Sequence, residues 1–383
     1  MKNVAILLLF LTFFLVISCN QTKKKEKLLK DNLITIDINQ VKDCEMDDLF
    51  SKIELIPLET NDSSIVGKLN RVIYTDDKKF IYFDDRNRTT VFNKNGAFIS
   101  NSSKVDRGKG PMEYYVVLDI VFNQFSNTIE ILGPDRNILI YDTLFNFVGR
   151  KKIKIPNEIL YYYFYPISND IYALMPTELA KNPYVVTFYD FKKNKVIKEL
   201  TYNNIFSRLS MTEFSIRSVG SNFYFSPAST TYYGYSIDCK ELTLNPIFHF
   251  DFGKNNIDLN DLNRFHDYRE VTNYLMTESS YPLPLRNLFN EKYIVSSIKM
   301  KNDFLTFIYN LNTGEKIFVK NKYSNKLRAP QYFTIEDNVL FAIVQPYELG
   351  KYVDIKLLDK NEKFNFENMS EDNNPVIVKY FLK

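Results

Sequence analysis

A short unit recurs along this chain at a nearly fixed spacing. The stretch 83–99, FDDRNRTTVFNKNGAFI, reads as strand, tight turn, strand, turn, strand, and 132–148, LGPDRNILIYDTLFNFV, repeats its layout. Phe83 falls on Leu132, Val91 on Ile140, Phe92 on Tyr141 and Phe98 on Phe147. The ruler is an aromatic or aliphatic residue followed by a polar turn: Phe92, Tyr141, Tyr189, Ile237, Tyr309 and Leu358. The steps are about 48 residues, except that Ile237 to Tyr309 is longer by about 24. A period near 48 lies in the range of propeller blades, four-stranded sheets that bury their faces only against one another. An aromatic share of 15% also leans toward strands. The expected fold is all-β, a six-bladed β-propeller.

The long step has its own pattern. In 256–285, Leu259, Leu262, Phe265, Tyr268 and Leu275 form a helical stripe. Asp258 or Asn260 caps its start, and Pro282 and Pro284 end it. One helical insertion is expected there, between blades 4 and 5. A ring must also hide its open edges. Ile53–Leu58, or else Leu33–Ile38, is the natural partner of the final Val376–Leu382 in a sheet built from both termini.

The first residues read as a targeting segment. Lys2 precedes an apolar run, Val4–Ile17, that is shorter than the roughly 20 residues a spanning helix needs. It ends Val16-Ile17-Ser18-Cys19, which resembles a bacterial lipobox. Residues 1–18 are therefore expected as a lipoprotein signal peptide, with lipidation at Cys19 and membrane attachment through that anchor. A polar, lysine-rich tether, 19–32, precedes the propeller at 33–383. Cys44 and Cys239 sit in no metal-like spacing and are expected to stay unpaired. A formal charge of +3 gives no reason to expect nucleic acid.

Four stretches carry a family resemblance: Ile53–Thr60 (IELIPLET), Arg107–Tyr114 (RGKGPMEY), Phe248–Gly253 (FHFDFG) and Glu371–Lys383 (EDNNPVIVKYFLK). With the lipobox, their order resembles the six-bladed propeller lipoproteins of Bacteroidetes, distantly similar to NHL-repeat propellers. Met112 stands where that family usually has a second glycine. The resemblance implies the fold and an envelope location, the outer membrane rather than the inner. Lysines rather than acidic residues after Cys19 favour the periplasmic face. It implies no agreed activity.

The most site-like stretch is 106–113, where Gly108 and Gly110 flank Lys109 beside Arg107 and Glu113. Such a loop cradles an anion or simply links two blades. Tyr163 and Tyr233 belong to tyrosine clusters that serve inter-blade packing or form a ligand platform. Arg107, Lys109, Glu113, Tyr163 and Tyr233 are the candidate ligand residues. His249 and His266 are the only histidines, too few for a propeller metal centre, and no H-E-x-x-H, C-x-x-C or G-x-S-x-G occurs. No metal, cofactor or catalytic residue is assigned. The carboxylate doublets Asp47-Asp48, Asp76-Asp77 and Asp84-Asp85 read as turn formers.

The expected function is non-catalytic: a binding or scaffold propeller in the envelope for a glycan, peptide or protein partner. The alternative is a glycan hydrolase or lyase using carboxylates at the channel mouth, recognisable by two acids at glycosidase spacing.

Overall fold

The computed structural model describes residues 32–106, 108, 110–155, 160–176, 184–201, 208–210, 216–226, 228–229, 232–266 and 268–383. Its strands gather into six four-stranded blades in chain order. Blade 1 holds Leu69–Tyr74, Phe80–Asp84, Thr89–Phe92 and Phe98–Asn101. Blade 2 holds Asp119–Asn123, Thr128–Leu132, Asn137–Tyr141 and Phe147–Lys152, and blade 3 Tyr161–Pro166, Ile171–Pro176, Tyr184–Asp190 and Lys195–Thr201. Ile216–Val219, Asn222–Phe225, Tyr233–Asp238 and Thr243–Asp251 form blade 4. Leu283–Phe289, Tyr293–Met300, Asp303–Asn310 and Lys316–Lys320 form blade 5. Blade 6 takes Tyr332–Glu336, Val339–Val344 and Val376–Leu382, and its fourth strand is Phe50–Pro57 from the other end of the chain. The six-bladed propeller expected from the repeat is the fold observed.

The repeated unit is strands two to four of a blade, and Asx chemistry sets its turns. Asp84, almost fully buried, accepts from the Arg86 and Arg88 amides at 2.9 and 3.0 Å and from the Gly67 amide at 2.8 Å. Asn93 Oδ1 accepts from the Asn95 and Ala97 amides. Gly96 follows at φ +82°, where a Cβ would lie 2.2 Å from the Pro57 carbonyl oxygen, so only glycine fits against blade 6. Blade 2 uses Asp142 in the same way for the Leu144 and Asn146 amides.

Alternation then builds the core. In blade 1, Ile81 and Val91 face blade 2 beside Ile120 and Ile131. Their neighbours Phe80, Tyr82 and Phe92 face blade 6 beside Phe341 and Ile377. The closing sheet pairs Ile53 with Tyr380 and Leu55 with Val378 on one side, and Leu340 with Tyr380 and Ala342 with Val378 on the other. The other candidate partner goes elsewhere. Leu33–Thr35 adds a fifth, parallel strand to the edge of blade 4, with Leu33 opposite His249. The chain then follows blade 5, where the Lys42 amide donates to the Phe318 carbonyl at 2.8 Å, before entering blade 6.

Two positions differ from the repeat reading. Between blades 4 and 5 the insertion is a 3₁₀ segment, Leu259–Arg264, capped by Asp258, followed by a separate helix, Tyr268–Thr277. Leu358 does not end a strand. It precedes the helix Lys360–Glu367, whose first amides, Asn361 and Glu362, donate to Asp359. The third strand of blade 6 is Val376–Leu382, so a helical excursion lies inside that blade. Asp and Asn serve N-caps and turns alike, which is why the sequence marker misread this one.

Strand polarity puts two classes of loop on two faces. One face carries the turns that join strands one to two and three to four, such as Thr75–Lys79 and Asp142–Asn146. The other carries the blade-to-blade connectors and both helical excursions, including 252–282, 321–331 and 345–375. Around the axis, where first strands of neighbouring blades touch, Asp119 ties three blades together. It pairs with Arg71 of blade 1, both side chains nearly inaccessible, and accepts from the Phe164 amide of blade 3 at 3.0 Å. Breaking a buried pair strands the surviving charge, so Asp119→Ala is expected to lower stability by about 3–5 kcal/mol. Urea unfolding checks this, and a loss below about 1 kcal/mol would mean the pair is not a structural tie.

Candidate functional site

The axial channel is nearly filled. Its cavity, about 110 Å³, is lined by first-strand residues including Arg71, Tyr165, Arg217, Ser218, Phe333 and Thr334. Arg217 donates to the Phe333 carbonyl at 2.8 Å, and the Tyr165 and Ser218 hydroxyls bond at 3.0 Å. None of its lining residues is a carboxylate, and the nearby Asp119 is held by Arg71.

A much larger recess, about 1200 Å³, opens between blades 5 and 6 on the long-loop face. Leu283, Leu285, Leu288 and Val295 wall it on the blade 5 side. The connector 321–331 supplies Lys322, Tyr323, Arg328 and Gln331, and the inserted helix supplies Thr272 and Met276. Tyr332 begins blade 6 beneath the connector, and its backbone carbonyl accepts from Arg286 at 3.1 Å. Lys320 pairs with Asp43 at 3.0 Å. The repeat pattern did not point here, because the recess joins blade 5 strand residues to an insertion and a connector that depart from the repeat.

The residues singled out from sequence are not gathered in one place. Glu113 lines a second recess, about 350 Å³, beside Tyr115, Asp135 and Arg150. Its carboxylate folds back on its own loop and accepts from the Gly110 amide at 2.9 Å. A Cβ at Gly108 would lie 1.8 Å from that carboxylate, which explains a glycine there. Arg107, Lys109 and Cys19 lie outside the described residues. Tyr163 packs against the cluster between blades 3 and 4. Tyr233 stacks on His249 across two strands, with centroids 4.2 Å apart and planes within 15°. None of these three lines the large recess.

The acidic doublets act as turn and cap formers. Asp48 accepts from the Glu45 amide, Asp77 bonds Thr75 and Lys79, and Asp85 accepts from the Lys68 amide. Cys44 and Cys239 are both free. Among the described residues no group of histidine, cysteine and carboxylate side chains could hold a metal ion.

A family model described as a domain of unknown function (DUF4934) matches residues 33–381. Among solved structures, the chain is similar to a Bacteroides fragilis protein named "Putative exported protein". Identity is 16%, TM-score 0.72, with 92% of this chain and 99% of that one covered. That likeness concerns the fold alone. The Cps50 (Swd1) β-propeller domain of Myceliophthora thermophila is similar at 7% identity and TM-score 0.45, with 84% and 99% covered. No curated protein matches the sequence significantly.

The Tyr233–His249 stack carries a pH dependence. Burial holds the imidazole below its ordinary pKa of 6.5, against the pull of the Asp251 carboxylate. Folding thus favours neutral His249. The resulting stability is complete above the unfolded-state pKa and is lost as pH falls through the lower folded value. Urea unfolding at about pH 7.5 and about pH 5 should show a loss on acidification. His249→Phe should shrink that loss; an unchanged loss in the variant would refute the assignment.

Proposed function

The chain belongs to the DUF4934 family, and we propose that it serves as a non-catalytic binding or scaffold propeller in the cell envelope, offering its long-loop face to a glycan, peptide or protein partner. The observation that carries this reading is the recess between blades 5 and 6. It collects side chains from an inserted helix, a connector and two blades, on the one face where the chain departs from its repeat. A rigid ring positioning variable loops is a common basis for recognition. Glu113 and the second recess lie on the same face and would extend the contact.

The competing reading, a glycan hydrolase or lyase, relies on paired acids at the channel. The channel cavity offers two arginines and a hydrogen-bonded tyrosine instead. An envelope location is supported by the apolar segment ending at Cys19 and by the name of the Bacteroides fragilis relative. In this reading a lipid on Cys19 holds the propeller at the outer membrane, on its periplasmic face.

Two measurements test the proposal. A ligand present at about 100 times its Kd raises stability by about 2.7 kcal/mol, so thermal melting against glycans, peptides and envelope proteins should reveal a saturable partner. A screen with no saturable shift would overturn the binding role. For the anchor, metabolic labelling with a palmitate analogue should mark the wild-type protein in the membrane fraction. Cys19→Ser should abolish both label and membrane retention; retention of either would refute lipidation there.

A further inference from the structure

We propose that the recess between blades 5 and 6 is a docking site for an extended peptide carrying both acidic and aliphatic side chains. The inference rests on the binding reading above and gives that site its ligand class.

Three properties of the recess converge on such a ligand. The first is a set of buried hydroxyls without bonds. Ser296 is fully buried, yet its Oγ has no hydrogen-bond partner among the described residues, and the same holds for the buried Oγ1 of Thr272. The buried hydroxyls of Tyr323 and Tyr332 face each other and interact as a pair, so the unbonded groups of the recess are Ser296 and Thr272. Unsatisfied buried hydroxyls cost stability, and each restored bond recovers part of it. A peptide backbone brings a donor and an acceptor at every residue.

The second is an apolar lining in which the half-buried Leu285 and the half-exposed Phe304 are accessible, backed by the buried Leu283, Leu288 and Val295. The third is charge. Lys322 and Arg328 are exposed, and among the described residues their side chains have no ion-pair or hydrogen-bond partner. Lys320 and Asp43 cancel each other. Asp303 is the remaining acid of the lining, so cations prevail at the mouth over a single carboxylate.

These properties separate the ligand classes. A glycan has no aliphatic side chains to set against the leucine wall. An acyl chain has no use for the hydroxyls. The volume, about 1200 Å³, exceeds the roughly 300–1,000 Å³ of small-molecule sites, which suits a chain segment. An acidic, aliphatic peptide meets the wall, the hydroxyls and the cations together, and the cations would also speed its association at low salt.

The test is selection from a random dodecapeptide phage library on the full-length protein. Selected peptides are then synthesised and titrated by fluorescence polarisation. The expected sequences combine Asp or Glu with Leu, Ile or Val. Their affinity should fall at least tenfold in the double variant Lys322→Ala/Arg328→Ala, whose side chains are exposed, and fall with added salt. Ser296→Ala should also weaken binding while leaving the thermal melt of the free protein unchanged or raised, since it removes an unbonded hydroxyl. A lowered melt would make that hydroxyl structural and count against the site. Basic peptides, peptides indifferent to the double variant, or no peptides would overturn the proposal. If glycans then bind and the double variant abolishes it, the ligand class is wrong but the binding role stands. If nothing binds, both fall.

Discussion

Everything in this molecule depends on one sheet. Val376–Leu382 lies between Phe50–Pro57 and Val339–Val344, so the middle of blade 6 is the last strand of the chain and its outer edge comes from the first third. Val376, Ile377, Val378 and Tyr380 are completely buried. A ring of blades has no core of its own; each blade packs only on its two neighbours. Without a closed sixth blade, blade 1 would present Phe80, Tyr82 and Phe92 to water, since their partners Phe341 and Ile377 belong to that blade. Closure thus turns six marginal sheets into one cooperative body.

Closure also settles where chemistry is possible. The first strands crowd the axis, and the Arg71–Asp119 pair with the Tyr165–Ser218 bond leaves the channel little free space. The short-turn face is stitched by Asx turns such as the one at Asp142. The opposite face has the long connectors, and there side chains from distant positions, such as Thr272, Ser296 and Arg328, border a large common space. The hydroxyls left unbonded there contrast with well-bonded turns of the repeat such as those at Asp84 and Asn93.

Much of the ring was legible in the sequence, because Asx turns and alternating strands leave local marks: Asn93 and Asp142 bond only within their own turns. The marker failed at Leu358, where Asp359 caps a helix instead of turning a strand. Locally the two situations look alike. Leu33–Thr35 was ambiguous for the same reason: an alternating segment declares itself a strand without naming its partner. The candidate site was nearly invisible. Tyr163 and Tyr233 were conspicuous because they cluster, yet both serve packing between or across strands. Ser296 looked like any strand serine, and its unbonded state exists only because of what surrounds it.

The sequence by itself determined the blade, its period and its number, because each follows from interactions within about 48 residues of chain. It also determined the place of the first excursion, since a helical stripe interrupts a strand pattern visibly. Tertiary structure alone decided which strand closes the ring, which face carries the long loops, and that Lys322 and Arg328 line the same recess as Leu283 and Leu285. These are relations between residues far apart in the chain. They are set by the summed fit of six packed sheets, and no local residue pattern encodes that sum.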